Sequence, residues 1–218
     1  MNALKKIGCT VMAILTVSTC AVTATVSDSP IAKNFSIVNV IDASAEKHQI
    51  RLYNQLDSQW NNQYNLRNSG CGIFSFCNAI YALNGYSPLP NAVARWALGI
   101  RAYDKNLGLY RDVFYGNVQN AYGSKYKFMV STKKYANVED TTLINALKNQ
   151  KKVAVAHVKN HFIAIVNYRF RNNTKEYFVI ESAVSKTRGL PAAGWVSAKK
   201  LESGNTNVDW FVVLQSTK

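Results

Sequence analysis

The chain has 218 residues, 48% of them hydrophobic, and a formal net charge of +14. That composition supports a buried core in one domain of moderate size and argues against a disordered chain. The charge favours anionic surfaces such as a cell-wall polymer or lipid head groups; with no aromatic-basic recognition motif, no specific nucleic-acid partner is expected.

Lys5 and Lys6 precede an apolar run, Ile7 to Val22, which is short for a membrane span and has the flanks of a secretory leader. Val22-Thr23-Ala24 offers small residues for a cut after Ala24. A later cut at Ala43-Ser44-Ala45 and an uncleaved anchor are the alternatives, and the lipoprotein-like Val17-Ser18-Thr19-Cys20 fits poorly because threonine directly precedes the cysteine. Each places the domain outside the cytoplasm, secreted or associated with the wall. Lys5 and Lys6 leave with residues 1–24 and no acid does, so +14 becomes +12.

Residues 25–50 carry Pro30 and no helical period, and read as a polar connector or short propeptide; the domain is expected to start near Ile50 or Arg51 and run to residue 218. Residues 51–69 are rich in Asn, Gln, Ser and aromatics, a composition that favours turns. A helix is predicted from Cys71 to Leu83, ended by Asn84-Gly85. Pro90 opens a second helix to Leu98. Residues 99–110 read as a loop, and Tyr110 to Tyr122 as a third helix stopped by Gly123. Lys125 to Ser131 reads as a strand. A fourth helix spans 141–149, with Leu143, Ile144 and Leu147 on its apolar face.

Strands are then predicted over Lys152 to Val158, His161 to Arg169 and Glu176 to Glu181, separated by the hairpin-like Lys159-Asn160 and Arg171-Asn172-Asn173-Thr174. A loop (186–194), a short helix (197–202) and a closing strand (208–214) follow. Helices first and antiparallel strands later make an α+β domain.

The sharpest chemical signal is Ser69-Gly70-Cys71-Gly72. It puts Cys71 at the start of an apolar helix, where unpaired N–H groups and the dipole favour a thiolate. Once the leader with Cys9 and Cys20 is gone, Cys71 and Cys77 remain. They lie six apart on one helix, ~9 Å at 1.5 Å rise per residue, too far for a disulfide. An unpaired thiol outside the cell has a reason if it is a nucleophile, with Cys77 as core. Of the three histidines, His48 lies in the connector and His157 reads as an ordinary strand residue. His161 opens a strand after a turn, where a rigid element presents a side chain into a cleft. Glu181 ends a buried-looking strand, out of place unless paired. A hairpin centred near residue 172 brings it close to His161, where a carboxylate would orient the imidazole.

Gln55-x-Asp57-x-x-Trp60, Tyr64, Ser69-Gly70-Cys71-Gly72, Leu83-Asn84-Gly85, Pro88 to Pro90, Trp96-Ala97, Gly108 and the Cys–His–acid order together resemble the exported bacterial relatives of the bacteriocin-processing (double-glycine leader) peptidases, which are papain-like cysteine peptidases. The resemblance spans most of residues 51–183. It implies a papain-like fold, with N-terminal helices packed on a C-terminal antiparallel sheet, and hydrolysis of a peptide or amide bond in a peptide or protein substrate. It implies Cys71 as nucleophile, His161 as general base, Glu181 as the acid and Gln55 as oxyanion donor, with Gln59 and Asn65 as rival donors. This sequence carries Asn160 where the family has glycine, Glu181-Ser182 for Asp-Pro, and Ile73-Phe74 for Pro-Thr. No metal or organic cofactor is expected. The alternative is a non-catalytic papain-fold module binding an anionic wall polymer, a membrane surface or a protein.

Overall fold

A computed structural model describes residues 35–41 and 47–218, with side-chain surroundings from Leu52 onward. All of these lie in one unit, Lys33–Lys218. The expected leader with Cys9 and Cys20, and the alternative cut at Ala43-Ser44-Ala45, fall outside the described residues.

Part of the expected connector is strand. β1 (Phe35–Ile41) pairs antiparallel with β2 (Lys47–Tyr53), His48 opposite Val40. The end of β2 is anchored to the domain by side chain rather than by ladder: Tyr53 N–H donates to Asn78 Oδ1 at 2.8 Å, and Asn78 Nδ2 donates back to the Tyr53 carbonyl at 3.1 Å.

A 3₁₀ turn (Ser58–Trp60) and the short α1 (Leu66–Ser69) lead through Gly70 into α2 (Cys71–Asn84). Gly85 ends α2 with φ 79°, the left-handed cap expected of glycine. Next come α3 (Pro90–Gly99), a two-rung ribbon of β3 (Tyr103–Asp104) with β4 (Gly108–Leu109), and α4 (Arg111–Val118). Gly123 does not stop the third helix. The helical path continues through a π turn (Gln119–Gly123) into α5 (Ser124–Tyr126) and ends at Lys127, φ 53°. Gly123 is there for space: a Cβ on it would lie 2.7 Å from the Phe128 carbonyl oxygen. The following strand, β5 (Phe128–Lys134), therefore starts later than the sequence suggests.

α6 (Thr141–Leu147) is capped by Asp140, whose Oδ1 accepts from Thr142 N–H at 2.8 Å. β6 (Lys152–Val158), β7 (His161–Arg171), β8 (Thr174–Ile180), β9 (Ala193–Ser197), α7 (Ala198–Leu201) and β10 (Trp210–Ser216) complete the chain. The six-stranded antiparallel sheet has the order β5-β10-β6-β7-β8-β9, so the domain is α+β as expected.

The continuous apolar runs of β6, β7 and β10 follow from burial on both faces. Val153, Val155, Phe162, Ala164 and Val212 pack with α2, α3 and α4; Ala154, Ala156, Ile163, Ile165 and Val213 pack with α6 and α7 on the other side. Period-two alternation thus divides two cores rather than core from water. Among the described residues no helix is long and apolar enough to cross a membrane.

Candidate active site

α2 is the axis of the site. Cys71, Ser75 and Asn78 stand at i, i+4 and i+7, one stripe of the helix. Cys71 is its first residue, so its own N–H has no partner inside the helix. Ser75 Oγ donates to the Phe162 carbonyl at 2.7 Å, tying β7 to the helix next to His161. Asn78 holds Tyr53, two residues before Gln55. Ser75 and Asn78 are fully buried polar residues in an apolar helix; neither was foreseen, and the signal that could have found them is a polar break on one stripe of an apolar run.

The two glycines beside Cys71 serve close approach, not unusual backbone. A Cβ at Gly70 would lie 2.4 Å from the Leu66 carbonyl oxygen; one at Gly72 would lie 2.7 Å from Leu109 Cδ2 and 3.2 Å from Phe162 Cδ2. Gly72 therefore lets both walls of the cleft close on the helix start. Across the cleft, Lys159 and Asn160 make the two-residue turn that aligns Val158 with His161. Asn160 has φ 56°, a left-handed conformation that glycine takes freely and asparagine tolerates, which accounts for asparagine there.

The structure brings Cys71, His161 and Glu181 together. His161 is buried and bonds through Nε2 to Glu181 Oε1, and Cys71 is the second side chain that acts on the ring. The β7–β8 ladder ends at Ala164 opposite Ile180, after a register shift between Ile165 and Asn167, and Glu181 is the next residue. Burial disfavours the imidazolium, but the hydrogen bonds to Cys71 and Glu181 and their charges outweigh it, pushing the His161 pKa up to about 9. Burial likewise opposes the Glu181 carboxylate, yet His161 and Arg188 together hold its pKa below the usual value.

Arg188 was not foreseen. Its Nε lies 2.9 Å from Glu181 Oε2, and Nη2 reaches Glu181 Oε1 at 3.4 Å and the Ala183 carbonyl at 2.6 Å. No local pattern in residues 186–194 distinguishes this arginine from the chain's other basic residues.

Gln55 is buried beside this array. Its N–H donates to the Ser182 carbonyl at 2.7 Å, and its Nε2 donates to the Arg67 carbonyl at 3.0 Å. An amide NH₂ has two protons, and among the described residues the second meets no acceptor. Of the rival donors, Asn65 Nδ2 gives one proton to the Lys105 carbonyl at 2.6 Å and its Oδ1 accepts from Asn68, while the Gln59 carbonyl accepts from Gln63 Nε2 at 3.0 Å. Cys77 is fully buried, and burial pushes its thiol pKa well up; Cys71 and Cys77 are both free of disulfides.

A cleft of about 720 Å³ opens over Cys71. One wall is the segment 106–113; the other includes His157, Asn160 and Phe162. Leu107, Tyr110 and Val113 expose apolar surface along the first wall. That wall is fixed from below by Ser69 Oγ and Asn65 Nδ2, both bonded to the Lys105 carbonyl. His157 thus faces the cleft rather than sitting apart from the site, with Nδ1 at 2.7 Å from Asp209 Oδ1. Among the described residues no three His, Cys, Asp or Glu side chains gather to hold a metal ion.

Comparison with models of known protein families and with curated proteins finds no match to this chain.

Proposed function

We propose that the protein is a thiol peptidase or amidase of papain-like fold that acts outside the cytoplasm on peptide or protein substrates. The observation that carries this reading is a buried histidine joined to both a cysteine at a helix start and a carboxylate, with an open cleft over the cysteine.

His161 Nδ1 takes the Cys71 proton, and Glu181 stabilises the resulting imidazolium. The thiolate sulfur bonds to the amide carbonyl carbon, and the Cys71 N–H with the free proton of the Gln55 amide holds the oxyanion. As the C–N bond breaks, His161 gives its proton to the departing amine. Water then attacks the thioester; His161 accepts its proton and returns it to sulfur as the S–C bond breaks.

The test combines two readouts. Alkylation of Cys71 by iodoacetamide is followed across pH in the parent and in His161→Ala, and hydrolysis of a mixed peptide pool is scored in the parent and in Cys71→Ala. Fast alkylation at neutral pH that depends on His161, with hydrolysis lost in Cys71→Ala, is expected. Alkylation indifferent to His161, or hydrolysis that survives in Cys71→Ala, sinks the reading.

A further inference from the structure

We propose that Arg188 is a positioning residue for this array, holding the Glu181 carboxylate against His161 Nε2. The inference rests on the catalytic reading of Cys71 and His161.

Glutamate has three side-chain torsions, and Glu181 lies just beyond the last rung of the β7–β8 ladder. Left alone, such a carboxylate has several rotamers and no reason to face the imidazole. Here every direction is fixed. Oε1 meets His161 Nε2, Arg188 Nη2 at 3.4 Å and the Ala183 N–H at 3.3 Å; Oε2 meets Arg188 Nε at 2.9 Å. The guanidinium is itself located by the backbone, since Nη2 also donates to the Ala183 carbonyl at 2.6 Å. The Ser182–Ala192 loop that carries it is closed at its base by Glu181 N–H to the Ala192 carbonyl at 3.0 Å and folded on itself by Gly189 N–H to Ser185 at 2.9 Å. One short loop thus leaves the sheet at Glu181, turns, and returns an arginine to it.

Charge supplies the second argument. The Glu181 side chain is fully buried and that of Arg188 nearly so, at 16% exposure. A buried carboxylate beside a thiolate–imidazolium pair would leave one net negative charge out of water. Arg188 brings the array to neutrality whether the mobile proton sits on Cys71 or on His161. The bidentate geometry belongs to a guanidinium, and a lysine would supply charge without alignment. The bonds of the Arg188 guanidinium go to Glu181 and the Ala183 carbonyl, so Arg188 acts on the imidazole through Glu181.

The test is the pH profile of hydrolysis of the mixed peptide pool, read beside Cys71 alkylation by iodoacetamide, in the parent, Arg188→Ala, Arg188→Lys, Glu181→Gln and the double variant Glu181→Gln/Arg188→Ala. Arg188→Ala is expected to move the alkaline limb down by about one pH unit, a tenfold change in the imidazolium-to-imidazole ratio. Arg188→Lys should recover part of it. The double variant should match Glu181→Gln, because a residue acting through Glu181 has nothing to act on once that charge is gone. A purely structural arginine gives additive effects, or a lower melting temperature with an unmoved limb; either overturns the inference alone, as does an Arg188→Ala profile equal to the parent's. A parent profile equal to that of His161→Ala overturns the catalytic reading and the inference with it.

Discussion

Ser75 Oγ donates to the Phe162 carbonyl oxygen across 2.7 Å, and both residues are buried. One turn above Ser75 on the same stripe is Cys71; one residue before Phe162 is His161. This bond joins the element that carries the sulfur to the one that carries the imidazole. Ser75→Ala leaves a buried carbonyl unsatisfied, a loss of about 1–3 kcal/mol. The expected outcome is a lower urea midpoint at unchanged slope, together with slower alkylation of Cys71. An unchanged midpoint would show that packing alone holds β7 against α2.

The alkaline end of the activity profile should report His161. The imidazolium is the form that protonates the leaving amine, and its pKa stands at about 9. Hydrolysis should therefore fall as pH rises through about 9. In Glu181→Gln, which removes the carboxylate charge, the limb should move to lower pH. Initial rates against pH for the two proteins check both statements.

Stability should respond to pH at both ends, with opposite signs. His161 has a folded pKa raised above its unfolded value of about 6.5, so its contribution is full below that value and is lost as pH rises through about 9. Glu181 has a folded pKa below its unfolded value of about 4.3, so its contribution is full above that value and is lost as pH falls through the folded pKa. Urea denaturation across pH should show His161→Ala flattening the alkaline decline and Glu181→Gln flattening the acid one.

Gln55 separates the two readouts. Alkylation by iodoacetamide builds no oxyanion, whereas amide hydrolysis does. Gln55→Ala should lower turnover by about 10²- to 10³-fold, the usual cost of one oxyanion donor, while alkylation of Cys71 stays within a few-fold of the parent. Equal losses in both would assign Gln55 to holding the fold through Arg67 and Ser182.

Gly72→Ala tests the close approach of the cleft walls. The added methyl meets Leu109 on one wall and Phe162 on the other. Overpacking of this kind costs about 1–3 kcal/mol, and here the strain falls on the cleft mouth. A lower melting temperature and slower alkylation are expected together. Gly99→Ala, where a Cβ has open space within 4 Å, is the control and should change neither.

Several features follow from short-range chemistry and were legible in the chain. The α2 helix announces itself by its apolar run and by Gly85 just past its end, because capping and periodicity depend on residues within a turn or two. Asp140 ahead of α6 is the same kind of signal. The strands at 152 and 161 are visible as apolar runs bounded by turn residues, and the Asn172-Asn173 hairpin tip, with φ of 49° and 57°, set the approach of Glu181 to His161. Gly123 misled because glycine answers two different needs. A local reading takes it for a stop, whereas its demand for space came from Phe128.

The sequence by itself determined a cysteine at a helix start, a histidine opening a strand and an acid just past the next one, each set by its immediate neighbours. Only the tertiary structure decided what surrounds them. It split the strands' apolar residues between two cores, a division that requires knowing that α6 and α7 cover the second face. It tied Gln55 Nε2 to the Arg67 carbonyl and Asn65 Nδ2 to the Lys105 carbonyl, since a side chain's partners depend on every segment that reaches it. It placed His157 on the cleft wall and brought Arg188 back to Glu181, through a loop whose path is fixed by contacts that no spacing rule encodes.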